Sequence, residues 1–161
     1  MAKAVGRKNE KELLFRNKQG IKQIIVTKSF DIHQDFETPI PGFFIIEAKR
    51  RVTSIMELSV DEQQELISLL VRIRRAMKDA LGIHHVILFQ DEATEWKDFH
   101  LWLFPRYSWM NRFGQKIESV KPIIQYAQEN MADKKSIQQV EDAIEKIKEY
   151  LQSVLDVPIE K

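Results

Sequence analysis

Residues 98–106 constrain the fold most, because polar and apolar side chains alternate there up to a proline. Successive side chains of a β-strand point to opposite faces of the sheet. In a strand, Asp98, His100 and Trp102 would share one face, whereas the intervening Phe and Leu side chains would face a hydrophobic core. Proline cannot donate a hydrogen bond to a neighbouring strand, so Pro105 should end this one. The segment predicts a strand with a carboxylate, an imidazole and an indole in a row on one face.

Three further segments have the composition of β-strands. They are residues 21–29, which contain Ile-Ile-Val, and residues 43–48 and 85–89. A loop is expected over residues 33–41, which hold two prolines, and Gly42 should open the strand that follows.

One long helix is expected over residues 59–81. Ser59 is a good N-cap, and acidic side chains at Asp61 and Glu62 favour the first turn. Gly82 favours a left-handed cap at the other end. Apolar side chains recur along one face at a spacing of three or four residues: Leu66, Leu69, Leu70, Ile73 and Met77.

The chain after residue 114 is expected to be helical. Ser136 and Gln139 form a capping-box pattern at the start of the last helix. An apolar seam follows: Ile137, Val140, Ile144, Ile147, Leu151 and Val154. The seam is too short to be stable alone, so it must pack on its own domain or on a partner chain. We predict an α+β fold, with an antiparallel sheet of about five strands and one main helix in residues 1–114. Residues 115–161 would form a C-terminal helical extension.

Composition excludes several classes of function. The chain has no cysteine, which excludes disulfides, a thiolate zinc site and a cysteine nucleophile. A net charge of +1 gives no bulk attraction to nucleic acid or to an anionic membrane. No apolar run approaches the roughly 20 residues of a membrane span, and the charged N-terminus lacks the apolar core of a signal peptide. We therefore expect a cytoplasmic protein with no nucleic-acid or membrane partner.

The strand that ends at Pro105 resembles the signature of the histidine-triad (HIT) family, His-x-His-x-His-x-x-Pro-Arg. Only the middle histidine is retained, as His100, while Asp98 and Trp102 stand at the other two positions. The resemblance implies the HIT fold over about residues 22–106. It also implies that His100 is the nucleophile, which in the family attacks the α-phosphate of a nucleotide to give a nucleotidyl-histidine intermediate.

A second segment, residues 41–55, supports the resemblance. It is similar, without a gap, to the family's Pro-Gly-His-(apolar run)-Pro-Lys-Arg-His-x-x-Ser-Leu segment. The chain departs from it at Phe43 and Arg51, which replace histidines. The family's Gly-Gln-Ser phosphate loop also reads Ala-Thr-Glu here, at residues 93–95.

The resemblance implies roles for the residues around His100. Asp98 would orient the imidazole but repel a phosphate, and Trp102 would stack on a base, plug the site or pack in the protein. Arg51 and Arg106, with Lys49, are cations able to bind phosphate.

One acidic residue lies outside these two segments. Asp35, six residues before the proline at position 41, matches the spacing of the family's ribose-binding aspartate.

The remaining histidines do not form a metal-ligand pattern. His84 and His85 are adjacent, so a strand would point them to opposite faces, and His33 falls in the expected loop. No metal site and no cofactor are predicted.

Three functions stay open. The first is a hydrolase or transferase that acts on a nucleotide phosphoanhydride or phosphoramidate, such as a dinucleoside polyphosphate, through His100. The second is a nucleotide-binding protein whose catalysis is weakened, and the third is an interaction protein that works through its C-terminal helices. The resemblance also implies a homodimer.

Overall fold

The computed structural model describes residues 23–92 and 98–155. The elements are β1 (Gln23–Val26), β2 (Phe30–Gln34), β3 (Phe44–Ala48), α1 (Val60–Leu81), β4 (Val86–Phe89), β5 (His100–Pro105), α2 (Val120–Asn130) and α3 (Lys134–Leu155). Short 3-10 helices span Ile55–Glu57, Ser108–Phe113 and Ile117–Ser119. Within this part of the chain the strands form one antiparallel sheet, in the order β1-β2-β3-β5-β4. The predicted α+β fold with a five-stranded sheet is confirmed.

Helix α1 begins and ends where the sequence predicts. The Ser59 hydroxyl accepts a hydrogen bond from the backbone N–H of Glu62, and the Glu62 carboxylate accepts one from the N–H of Ser59. Gly82 ends the helix with φ of 68°, a left-handed conformation that glycine adopts without strain. Local sequence alone therefore fixes both ends of this element.

The predicted loop over residues 33–41 is wrong at its start, because His33 and Gln34 belong to strand β2. A turn after β1 reverses the chain, with the backbone N–H of Thr27 donating to the carbonyl of Phe30. Phe30 and Ile32 then point into the core, while Asp31 and His33 point to the other face. The polar residues Asp31 and His33 of β2 lie on the face opposite Phe30 and Ile32.

Helices α1 and α3 cover one face of the sheet. The core between them contains sheet residues Phe30, Ile32, Phe44, Ile46 and Leu103, α1 residues Leu66, Leu69, Ile73 and Met77, and α3 residues Ile137, Val140, Ile144, Ile147 and Leu151. The apolar seam of α3 thus packs on its own chain, and it gives no support to the predicted homodimer. That oligomeric state stays a prediction.

The first turn of α3 differs from the prediction. The helix begins at Lys134, and the Asp133 carboxylate accepts a hydrogen bond from the backbone N–H of Ser136. Asp133 therefore has the capping role that the sequence pattern assigned to Ser136.

Helix α2 covers only part of the opposite face. A second core lies there: Ile40, Phe43, Phe104, Met110, Val120, Ile123 and Ala127. The side chains of Asp31, Glu47 and His100 lie on the same face beyond this cover, and they remain partly accessible to solvent. In the part of the chain that the structure describes, no helix is long and apolar enough to cross a membrane.

Candidate functional site

Four side chains meet on the face of the sheet that α2 leaves open. The strand register places His100 of β5 opposite Glu47 of β3, and Trp102 opposite Ile45. His33 of β2 lies opposite the same Ile45. Because side chains two residues apart share a face, His33, Glu47, His100 and Trp102 all point to one side of the three central strands. His100 and Trp102 share a face, as the alternation predicts.

Glu47 joins the two imidazoles. Its Oε1 lies 3.2 Å from Nε2 of His100, and its Oε2 lies 3.2 Å from Nε2 of His33. The carboxylate is partly buried, so these interactions are less screened by water than those of an exposed ion pair. We call the three residues the carboxylate bridge.

The second nitrogen of each imidazole also faces an acceptor. Nδ1 of His100 lies 2.6 Å from the backbone carbonyl oxygen of Asp98, and Nδ1 of His33 lies 3.0 Å from that of Gln34. Carbonyl and carboxylate oxygens only accept hydrogen bonds, so both nitrogens of each ring must donate. The carboxylate bridge therefore favours the imidazolium form of both histidines.

The electrostatics of the bridge agree with its geometry. Hydrogen bonds from His100 and then His33 lower the pKa of Glu47 to about 2. The hydrogen bond to Glu47 raises the pKa of His100. Burial lowers the pKa of His33, but its hydrogen bonds to Glu47 and to the Gln34 carbonyl outweigh this, and the net shift is upward.

Aromatic rings extend from the bridge in two directions. The indole of Trp102 lies 5.7 Å from the imidazole of His100 and stacks on Phe89 at 5.2 Å with an interplanar angle of 8°. On the other side, Phe36 stacks on His33 at 4.3 Å. Flat aromatic surfaces of this kind stack with planar ligands.

Asp98 and Arg51 lie at the edge of the site. The Asp98 carboxylate is exposed and lies 3.9 Å from Nε of Arg51, whose side chain is also exposed. Asp98 contacts His100 through its backbone carbonyl rather than its carboxylate. Asp98 therefore touches the bridge through its backbone, and Arg51 lies beside the Asp98 carboxylate.

Asp35 follows strand β2 directly, on the side of the second core. Its Oδ1 accepts hydrogen bonds from the backbone N–H groups of Glu37 and Thr38, at 3.0 and 2.7 Å. Burial raises the pKa of this carboxyl. In this conformation the carboxylate shapes the turn after β2.

Arg106 is a predicted site residue that the structure does not bring to His100. Arg106 is six positions further along the chain than His100, which is about 20 Å of extended strand at ~3.3 Å per residue. The guanidinium of Arg106 instead donates to the Ser119 hydroxyl, the Asn111 amide oxygen and the Gly114 carbonyl. These hydrogen bonds stabilise the segment between β5 and α2.

Comparison with known proteins identifies the fold. No family model matches the chain, and no curated protein matches it. Among solved structures, a hypothetical histidine triad nucleotide-binding protein from Sulfolobus tokodaii superimposes with a TM-score of 0.59 at 14% identity, covering 91% of this chain and 99% of that one. The protein has the histidine-triad fold.

Two further HIT structures support this assignment. A Zn-bound histidine triad family protein from Mycobacterium smegmatis gives a TM-score of 0.57 at 13% identity, over 89% of this chain and 94% of that one. The diadenosine triphosphate hydrolase of Plasmodium falciparum gives a TM-score of 0.56 at 14% identity. The match covers 89% of this chain and 97% of that one. The resemblance predicted from residues 41–55 and 98–106 is therefore confirmed at the level of the fold.

Sequence reasoning missed two members of the carboxylate bridge. Glu47 is a charged residue within the stretch that is an apolar run in the HIT segment, and this departure was the available indication. His33 was assigned to a loop, although the alternation of residues 30–33 would have placed it on the same face as Asp31.

Within residues 23–92 and 98–155, no three side chains of His, Asp or Glu are arranged to hold a metal ion. His84 and His85 are exposed residues that precede β4.

Proposed function

We propose that this chain is a nucleotide-binding protein with the HIT fold, in which turnover through His100 is weak. One observation carries the proposal: Nε2 of His100 is hydrogen-bonded to Glu47 while Nδ1 is bonded to the Asp98 carbonyl. A nucleophile needs a free lone pair, and an imidazole that donates from both nitrogens has none. The bridge favours binding over catalysis.

The surroundings of His100 suit a nucleotide. The Trp102–Phe89 pair offers a stacking surface for a base, and the imidazolium of His100 with Arg51 offers positive charge for a phosphate. Asp35 stays a proposed ribose contact on the family spacing alone, since its Oδ1 already accepts two backbone hydrogen bonds in the turn after β2. Arg106 is left out of the proposed site, because its guanidinium is engaged elsewhere.

The named neighbours support the same ligand class. One is described as a nucleotide-binding protein and another as a diadenosine triphosphate hydrolase. Mononucleotides and dinucleoside polyphosphates are therefore the ligands to test.

A second candidate is a HIT-type hydrolase or nucleotidyl transferase. The retained position of His100 and its Nδ1 contact with a backbone carbonyl favour it, since this contact would leave Nε2 as the attacking atom once Nε2 has lost its proton and its contact with Glu47. Turnover would then depend on how often that release occurs.

Calorimetric binding and turnover assays test both candidates. We expect AMP, GMP or diadenosine tetraphosphate to bind the wild-type protein. His100→Ala should abolish the slow turnover of diadenosine tetraphosphate, while base and ribose contacts maintain most of the binding. His85→Ala, which removes an exposed histidine outside the site, is the matched control. Absence of binding for all three ligands would refute the proposed function. Turnover in His100→Ala equal to wild type would refute His100 as the nucleophile.

A further inference from the structure

We propose that Glu47 competes with the ligand's phosphate for His100, and that His33 is the residue that retains the Glu47 carboxylate when a phosphate binds. This inference rests on the proposed nucleotide-binding function. It assigns Glu47 and His33 as positioning residues that set the affinity of the site for anions.

The two oxygens of Glu47 are divided between the imidazoles. Oε1 contacts His100 and Oε2 contacts His33, each at 3.2 Å. An anion that approaches Nε2 of His100 therefore has to displace only one of the two contacts. The carboxylate remains paired through Oε2, so the displacement does not leave an unpaired charge on the sheet.

The two histidines differ in a way that fixes this order. His33 is buried, stacked on Phe36 and fixed through Nδ1 to the carbonyl of Gln34. The side chain of His100 is 27% exposed. An anion from solvent meets His100 first, whereas the position of His33 does not depend on the ligand.

The charges around the bridge nearly balance. Glu47 supplies one carboxylate within the bridge, and two more lie beside it, those of Asp31 of β2 and Asp98 before β5. The cationic groups are the two imidazolium rings and Arg51. While Glu47 lies on His100, the carboxylate offsets the positive charge of the imidazolium, so removal of the Glu47 charge should favour anion binding.

Glu47 has a second, opposite effect. Its hydrogen bond keeps His100 protonated to a higher pH than an isolated imidazole. Without the Glu47 charge, His100 loses its proton, and with it the attraction for phosphate, at a lower pH. The same residue thus weakens phosphate binding in acid and extends it toward neutral pH.

The experiment measures AMP affinity by calorimetry from pH 5 to 8 in wild type, Glu47→Gln and His33→Phe. Glu47→Gln keeps the shape of the side chain and removes its charge; at pH 5 we expect about tenfold tighter binding. That advantage should shrink as the pH rises, because the unassisted His100 deprotonates first.

His33→Phe should act in the opposite direction. The aromatic ring keeps the stack on Phe36, but Glu47 then has only His100 as a partner and competes more strongly, so AMP binding should weaken by several-fold. In the Glu47→Gln background the same His33→Phe change should have little effect. A purely structural role for the two residues would weaken binding in both single variants and leave the pH profile unshifted.

Controls and alternative outcomes separate the two proposals. Glu145→Gln removes an exposed carboxylate of α3 and should bind AMP as wild type does. If Glu47→Gln shows no cooperative thermal unfolding transition, and so is not folded, Glu47→Val replaces it in the same assay. Wild-type binding without tightening in the Glu47 variant overturns the inference and leaves the proposed function standing. Binding by none of the proteins overturns both, because the released His100 would then not form an anion site.

Discussion

At the scale of single residues, the backbone orients the polar side chains of the candidate site. Both imidazoles of the carboxylate bridge are oriented by carbonyl groups, those of Gln34 and Asp98. The backbone therefore determines which nitrogen of each ring faces Glu47. This preorganisation reduces the side-chain entropy that the site loses when a ligand binds.

Gly42 is a residue whose backbone conformation the fold requires. Its φ is 81°, and a Cβ atom there would lie 2.7 Å from Cδ1 of Ile83 and 3.4 Å from Cδ1 of Leu81. We expect Gly42→Ala to lower the free energy of unfolding by about 1–3 kcal/mol, measured by urea denaturation. Gly82→Ala is the matched control, since φ there is 68° but no atom lies within 4 Å. Equal losses in the two variants would show that the contact with Ile83 contributes nothing.

The role of a residue could be predicted from the sequence where a local rule determines it, and could not where a contact between strands determines it. Ser59 and Gly82 were assigned correctly because a cap depends only on its own helix end. Local patterns could mark Glu47 and His33 as unusual, but their contact with each other depends on the strand order β2-β3-β5, which those patterns do not contain. Arg106 matches the family signature, yet its guanidinium binds residues between β5 and α2 instead of lying beside His100.

At the scale of elements, α3 completes the main core. Its buried face lies against α1 and the sheet, so the predicted helical extension shares one core with the sheet. The spacing of three and four residues predicted this apolar face correctly from Ile137 to Leu151 but not at Val154, which is exposed. It could not show whether the face would pack on its own chain or on a partner.

Two residues of the same predicted seam test the packing of α3. Ile144 is fully buried, whereas Val154 is 48% exposed near the end of the helix. We expect Ile144→Ala to cost about 2–5 kcal/mol of stability, because a cavity remains in the core. Val154→Ala should change stability by no more than about 0.5 kcal/mol. Comparable losses at both positions, measured by urea denaturation, would contradict the packing of this helix.

At the scale of the whole molecule, one sheet serves two purposes. The face that α1 and α3 cover supplies a continuous core, and the face that α2 covers only in part leaves the carboxylate bridge near solvent. Because side chains alternate along residues 100–105, one strand contributes to both faces. Leu103 points to the core under α1 and α3, while His100 and Trp102 point to the site. Stability and the candidate function are therefore coupled through the same strands.

This coupling predicts a pH dependence of stability. The pKa of Glu47 falls from 4.5 to about 2 on folding, so the stability it contributes is present above pH 4.5 and is lost as the pH falls toward 2. The pKa values of His33 and His100 rise above 6.5 on folding, so their contribution is complete below pH 6.5 and is lost as the pH rises through the folded values. The bridge should stabilise the fold most between about pH 4.5 and 6.5.

Urea denaturation of wild type and Glu47→Gln across pH 3 to 9 measures this contribution. Other carboxylates titrate in the same range, among them Glu62, whose pKa is also about 2, so only the difference between the two proteins isolates the bridge. We expect this difference to be largest between about pH 4.5 and 6.5 and to shrink on both sides. Glu145→Gln should follow the wild-type curve. A constant difference across the whole range would mean that Glu47 stabilises the protein by packing alone, without the charge that the two histidines share.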